Sequence, residues 1–158
     1  MQRRSEMKIM DFLCPEATLF ELKSKDKMSV ITEMVEALAQ LKKIKDAPEI
    51  VDALMQREKL GSTGIGQGVA IPHCRCDSVK QQIAMLAISH GGVDFEALDG
   101  KPVNMFFMLL CPGQSTGEHL QAMAKASKLF KDKYFRQSLL EAKTSADIVA
   151  IIAKADVQ

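Results

Sequence analysis

Two strongly apolar runs, Ile83 to Ser89 and Val103 to Leu110, constrain the fold of this chain more than any other feature. A strand that is apolar on both sides of its pleat must be covered on both faces. Turn signals separate the runs, Gly91-Gly92 and Asp99-Gly100, and prolines at 102 and 112 bound the second. Helical patterns surround them. Asp26 is a suitable N-cap, and Val30, Ile31, Met34, Val35, Leu38 and Leu41 recur at helical spacing, which predicts a helix over Lys27 to Lys42. Pro48 suits the first turn of a second helix with Ile50, Val51, Leu54 and Met55 on its buried face. Gly61 stands where that helix should stop. A polar loop, Gly113 to Gly117, leads to a helix expected over Glu118 to Phe130, with Leu120, Met123, Ala124, Ser127 and Leu129 fitting its packed side loosely. Tyr134, Phe135, Leu139 and Leu140 mark another helix, and Thr144 with Asp147 opens a last one that ends near Ala155. Thr18 to Lys23 alternates weakly, as a strand would. Residues 1–15 read as a loosely ordered leader and 16–156 as the domain. The expected class is α/β: one domain with a mixed β-sheet and helices packed on both faces.

Composition excludes several functions. With 158 residues the chain suits one core, and its net charge of +1 gives no global pull toward nucleic acid or a membrane surface. No apolar stretch reaches the roughly 18 residues needed to span a bilayer, so membrane insertion is not expected. Met1 to Met10 carries Arg3, Arg4 and Lys8 with no apolar core after them, unlike a secretory signal. Four irregularly spaced cysteines, Cys14, Cys74, Cys76 and Cys111, do not make a disulfide framework. A reducing, cytoplasmic setting is the simpler expectation.

The chemistry is expected between Arg57 and Arg75. Four glycines in eight residues, Gly61, Gly64, Gly66 and Gly68, force an irregular loop, and Val69-Ala70-Ile71 then delivers Pro72 and His73. Proline fixes φ and lacks an N–H, so it interrupts strand pairing and holds the histidine at a rigid corner. Of the other histidines, His119 opens a helix just after Gly117 and Glu118, whereas His90 merely precedes a turn. A phosphohistidine site needs one bare ring nitrogen, a fixed partner on the other nitrogen, and donors around three phosphoryl oxygens. The amides of the loop through Ser62, Thr63, Gly64, Gly66 and Gly68 are expected to cradle phosphate, with Arg57 adding a guanidinium and the start of the His119 helix adding amides.

Competing patterns fit less well. No Gly-Lys-Ser/Thr follows the glycines, and their spacing is not that of a dinucleotide fingerprint. His73, Cys74 and Cys76, with Cys111 as a fourth ligand, could form a small zinc-binding module, yet no second ligand block of zinc spacing exists. Cys74 as a nucleophile with His119 as its base is a further option without a local signature. The bland alternative makes the glycines a pair of tight turns and Arg57 and Arg75 solvated charges.

The run Gly61-Ser62-Thr63-Gly64-Ile65-Gly66-Gln67-Gly68-Val69-Ala70-Ile71-Pro72-His73 closely resembles the active-site segment of the IIA components of the bacterial sugar phosphotransferase system, fructose–mannitol–nitrogen class. Arg57-Glu58, Leu98-Asp99-Gly100-Lys101-Pro102-Val103 and Glu118-His119-Leu120 resemble the same family, and the likeness runs from about Thr18 to the end. It implies that His73 accepts a phosphoryl group, that His119 is the second active-site histidine, and that Arg57 stabilises phosphate. It implies a histidine-containing phosphocarrier protein as donor, a IIB cysteine or regulated proteins as acceptor or partner, and no cofactor. Relatives usually carry a small residue after the histidine, where this chain has Cys74. The chain stops soon after one IIA unit and has a short leader, which resembles the free-standing nitrogen-type regulator more than a sugar-transport fusion.

Overall fold

A computed structural model describes residues 7–157. Five strands, β1 (Gly64–Gly66), β2 (Val69–Ala70), β3 (His73–Cys76), β4 (Ile83–Val93) and β5 (Val103–Pro112), form one sheet. The helices are α1 (Lys27–Gln40), α2 (Ala47–Lys59), α3 (Gly117–Lys131), α4 (Lys133–Glu141) and α5 (Ser145–Ala155). β5 is central. It pairs antiparallel with β4 on one side, and parallel with β2 and then β3 on the other, so the sheet is mixed.

β2 and β3 are two halves of one interrupted strand. Val69 and Ala70 lie opposite Met105 and Phe106, whereas His73 to Cys76 lie opposite Leu109 to Pro112. Ile71 and Pro72 fall in the gap, where proline has no N–H to donate to a ladder. Pro72 still contributes its carbonyl, which accepts from Leu109 N at 2.9 Å. Beyond the gap β3 is an edge strand, and His73 opens it.

The pleat of β5 sorts its side chains between two cores. Phe106, Met108 and Leu110 pack with Val30, Met34, Leu38, Ile50 and Leu54 of α1 and α2. Met105, Phe107, Leu109 and Cys111 pack with Ala122, Ala126 and Phe130 of α3 and with Leu139, Ile148 and Ile152 of α4 and α5. Both faces are covered, as the continuous apolar runs require. Helix boundaries follow local chemistry: Asp26, Asp46, Asp132 and Thr144 each accept a backbone amide at a helix start. α1 stops two residues short of the expected Lys42, which takes a positive φ. In α3 the buried stripe is Ala122, Ala126 and Phe130, and Leu120 is exposed, contrary to expectation.

Two further expectations change. Residues 18–23 form no strand of their own; Leu19 meets Ala87 in an isolated parallel bridge on the free side of β4. The loosely ordered leader lies outside the described residues only as far as residue 6. From there the chain is built into the domain: Ile9, Phe12 and Leu13 are buried. The Asp156 carboxylate accepts from the amides of Ile9 and Met10, both at 2.9 Å, tying this segment to the far end of the chain.

Candidate functional site

His73 faces an open cleft of about 1100 Å³ at the β3 edge, between the last turns of α2 and the start of α3. Arg57, Arg75 and His119 share its walls. The His73 ring is oriented by its own strand: Nδ1 lies 2.7 Å from the carbonyl oxygen of Ile71. A carbonyl can only accept, so Nδ1 carries the hydrogen and Nε2 of the neutral ring keeps its lone pair. Ile71 is held in turn, since its side chain is buried and its amide donates to Thr63 O at 3.0 Å.

Burial pushes the His73 pKa below the ordinary 6.5, the Ile71 carbonyl opposes this, and the Arg57 charge lowers it further. The ring is therefore neutral at pH 7, as a nucleophilic nitrogen must be. Arg57 is anchored by one bond, from Nη1 to Gly61 O at 2.8 Å. Its remaining donors can serve an anion in the cleft.

His119 stands beside His73, with ring centroids 5.5 Å apart and planes tilted by 44°. Burial lowers its pKa, as do the charges of His73 and Arg75. Thr116, the N-cap of α3, makes no side-chain capping bond, so the first-turn amides beside the cleft await another partner. His73, His119 and Arg57 thus line one cleft, together with Arg75.

The glycine loop stands apart from the cleft lining. None of Ser62, Thr63, Gly64, Gly66 or Gly68 lines the cleft. Their bonds are structural. Ser62 Oγ donates to Phe95 O at 2.9 Å, and Thr63 Oγ1 donates to the buried Glu58 carboxylate. Gly64 packs against Ala97, whose Cβ would lie 2.8 Å from any Cβ added there. Gly66 ends β1, and Gln67 and Gly68 form the β1–β2 turn with φ of 60° and 76°. Positive φ at both turn residues suits the twist of a hairpin.

The zinc arrangement also fails on geometry. Along β3 side chains alternate, and Cys74 and Cys76 turn into the core shared with α1 and α2. Among the described residues, no three His, Cys, Asp or Glu side chains are grouped to hold a metal. Burial pushes the Cys74 thiol up to about 12, unsuited to a thiolate nucleophile, and His119 contacts Cys111 instead. His90 is occupied elsewhere, with Nδ1 2.5 Å from Glu21 Oε2.

Three contributors escaped the sequence reading: the Ile71 carbonyl, Cys111 and Glu58. Glu58 is buried between Lys27 Nζ, at 3.0 Å, and Thr63. A charged residue inside the helical stripe of α2 was the available sign of it.

Residues 11–155 match the family described as "Phosphoenolpyruvate-dependent sugar phosphotransferase system, EIIA 2". The chain belongs to this family. Among EIIA type 2 relatives, the nitrogen regulatory protein of Bradyrhizobium diazoefficiens is 33% identical over 147 residues, covering 93% of this chain and 95% of that protein. The fructose-specific EIIABC component of Bacillus subtilis is 37% identical over 150 residues, 95% of this chain but 24% of that protein. The present chain thus spans about a quarter of that EIIABC relative. The crystal structure of nitrogen regulatory protein IIA-Ntr from Neisseria meningitidis superposes with a TM-score of 0.84 at 35% identity, covering 91% of this chain and 98% of that one. IIA mannitol from Escherichia coli, at 20% identity and a TM-score of 0.75, shares the fold. The EIIA domain has no helix long and apolar enough to cross a membrane among its described residues.

Proposed function

We propose that this EIIA domain accepts a phosphoryl group on Nε2 of His73 from a histidine-containing phosphocarrier protein. We further propose that it signals by phosphorylation-dependent binding of other proteins. The observation that carries the reading is the bond from Nδ1 to Ile71 O, which leaves Nε2 as the nucleophile. In the transfer, the donor's P–N bond breaks and its electron pair stays with the donor nitrogen. The Nε2 lone pair forms the new P–N bond. The ring keeps its Nδ1 hydrogen and gains positive character, which the Ile71 carbonyl stabilises. Little bonding remains for the protein to supply, so its task is positioning and charge neutralisation. Arg57 and the first-turn amides of α3 suit the phosphoryl oxygens. The cleft is far larger than one phosphoryl group, which fits a donor that inserts part of another protein. A phosphoryl group there adds nearly two negative charges at one surface, enough to admit or exclude a partner.

The regulatory role rests on the nitrogen regulatory relatives, which match this chain along nearly their whole length. The fructose-specific relative supports a second reading, in which a IIB cysteine takes the phosphoryl group. The test is incubation with phosphoenolpyruvate and the upstream carrier proteins, followed by intact mass spectrometry. One acid-labile phosphoryl group, absent in His73→Ala, is expected, and uptake by His73→Ala would overturn the assignment. Rapid discharge of the labelled protein onto a fructose-type IIB would favour transport over regulation.

A further inference from the structure

Behind His119 lies a hydrogen-bonded chain that the phosphate site does not itself explain. His119 Nδ1 is 3.0 Å from Cys111 Sγ, and Cys111 Sγ donates to Gln82 Oε1 at 3.0 Å. Cys111 is fully buried at the end of β5. Gln82 stands one step before the Ile83–Leu110 pair of β4 and β5, so the sheet register brings it opposite Cys111. The thiol has a single hydrogen. Spent on Gln82, it leaves the sulfur only as an acceptor toward His119.

We infer that Cys111, oriented by Gln82, is a positioning residue that fixes His119 as its Nδ1–H tautomer and leaves His119 Nε2 as the nitrogen free to serve the cleft. The purpose of this arrangement rests on the phosphoryl-carrier reading above. His119 Nε2 takes up a proton from solvent water in the open cleft as phosphoryl charge arrives, and donates that proton in a hydrogen bond to a phosphoryl oxygen. Nδ1–H stays on the sulfur throughout, so the ring does not rotate. The thiol is suited to this because it remains neutral: burial, then Glu118, pushes it up to about 11. A carboxylate in its place would hold His119 protonated before the phosphoryl group came. Valine in its place would fill the space and let the ring choose either tautomer.

The tautomer is measured on the unphosphorylated protein, so the result does not depend on whether His73 accepts phosphate. Long-range ¹H–¹⁵N correlation spectra of His119 are recorded for wild type, Cys111→Val, Cys111→Ser and Gln82→Leu above pH 7. Wild type is expected to show Nδ1 protonated and Nε2 bare. Cys111→Val should give averaged nitrogen shifts of mixed tautomers, and Cys111→Ser, which keeps an acceptor and a donor, should restore the wild-type pattern. Gln82→Leu should shift the balance partway. Phosphoryl uptake by Cys111→Val should fall about fivefold or more and recover in Cys111→Ser. A wild-type spectrum with hydrogen on Nε2, or a Cys111→Val spectrum identical to wild type, overturns the proposal. A wild-type tautomer as expected alongside no phosphorylation would instead remove the carrier reading and leave the positioning role standing.

Discussion

Arg57→Gln separates the two things this guanidinium does. Arg57 makes one bond within the protein, to Gly61 O at 2.8 Å, and otherwise opens on the cleft. Losing that bond costs about 1 kcal/mol of stability, so the variant folds. The contact we propose for it with a phosphoryl oxygen is a hydrogen bond between charged groups, worth about 1.5–3 kcal/mol. At about 1.4 kcal/mol per factor of ten, phosphoryl uptake should slow roughly 10- to 150-fold. The second effect concerns protons. Arg57 holds the His73 pKa down, so without it the ring protonates more readily and the acid limb of the pH–rate profile moves to higher pH. Quench-flow measurement of uptake from the phosphorylated carrier, between pH 5 and 8, reads both. Uptake within twofold of wild type with an unmoved acid limb would refute the role assigned here.

Three other outcomes follow from the geometry. His73 and His119 are both depressed below 6.5, so the unfolded chain binds more protons just below that pH; stability should fall as pH drops from 6.5 through the folded values, and His73→Gln should flatten the slope in urea titrations. Gly64→Ala drives a Cβ to 2.8 Å from that of Ala97 and should cost about 1–3 kcal/mol, seen as a lower Tm, while Ser62→Ala leaves phosphoryl uptake unchanged below that temperature. Glu58→Ala strands the Lys27 ammonium, whose side chain is 14% exposed, and should cost about 3 kcal/mol, at the low end for a broken buried pair because Glu96 remains 3.4 Å away.

What the sequence revealed about the fold came from local rules. Val103 to Leu110 had to be covered twice because it has no polar face, and β5 duly divides its side chains between two cores. Pro72 had to break a strand, and it separates β2 from β3. Asp26 and Thr144 cap where they were expected to cap. What stayed hidden depends on distant pairings. Nothing near Ile9 announces Asp156, 147 positions away, yet that carboxylate fixes the segment read as a leader. The surroundings of the glycines were not legible either, since the same residue type serves a phosphate cradle and a hairpin turn, and the packing on Ala97 and the bond to Phe95 arise only in the fold. Leu120 looked like core by its side chain, but the stripe of α3 that faces the core is Ala122, Ala126 and Phe130. At the site, Arg57 and His119 were legible as residue types beside glycines and helix ends. Cys111 was not, since its contact with His119 requires β5 and α3 to be folded together.

The nitrogen of His73 that we propose as acceptor is chosen by a main-chain oxygen two residues earlier, beside Pro72 and the buried Ile71 side chain. No side-chain replacement can delete that oxygen. Surface residues around the cleft are therefore free to diverge, trading one docking protein for another, while the reacting atom stays the same. A single scaffold can in this way be recruited into new circuits without its chemistry being reinvented.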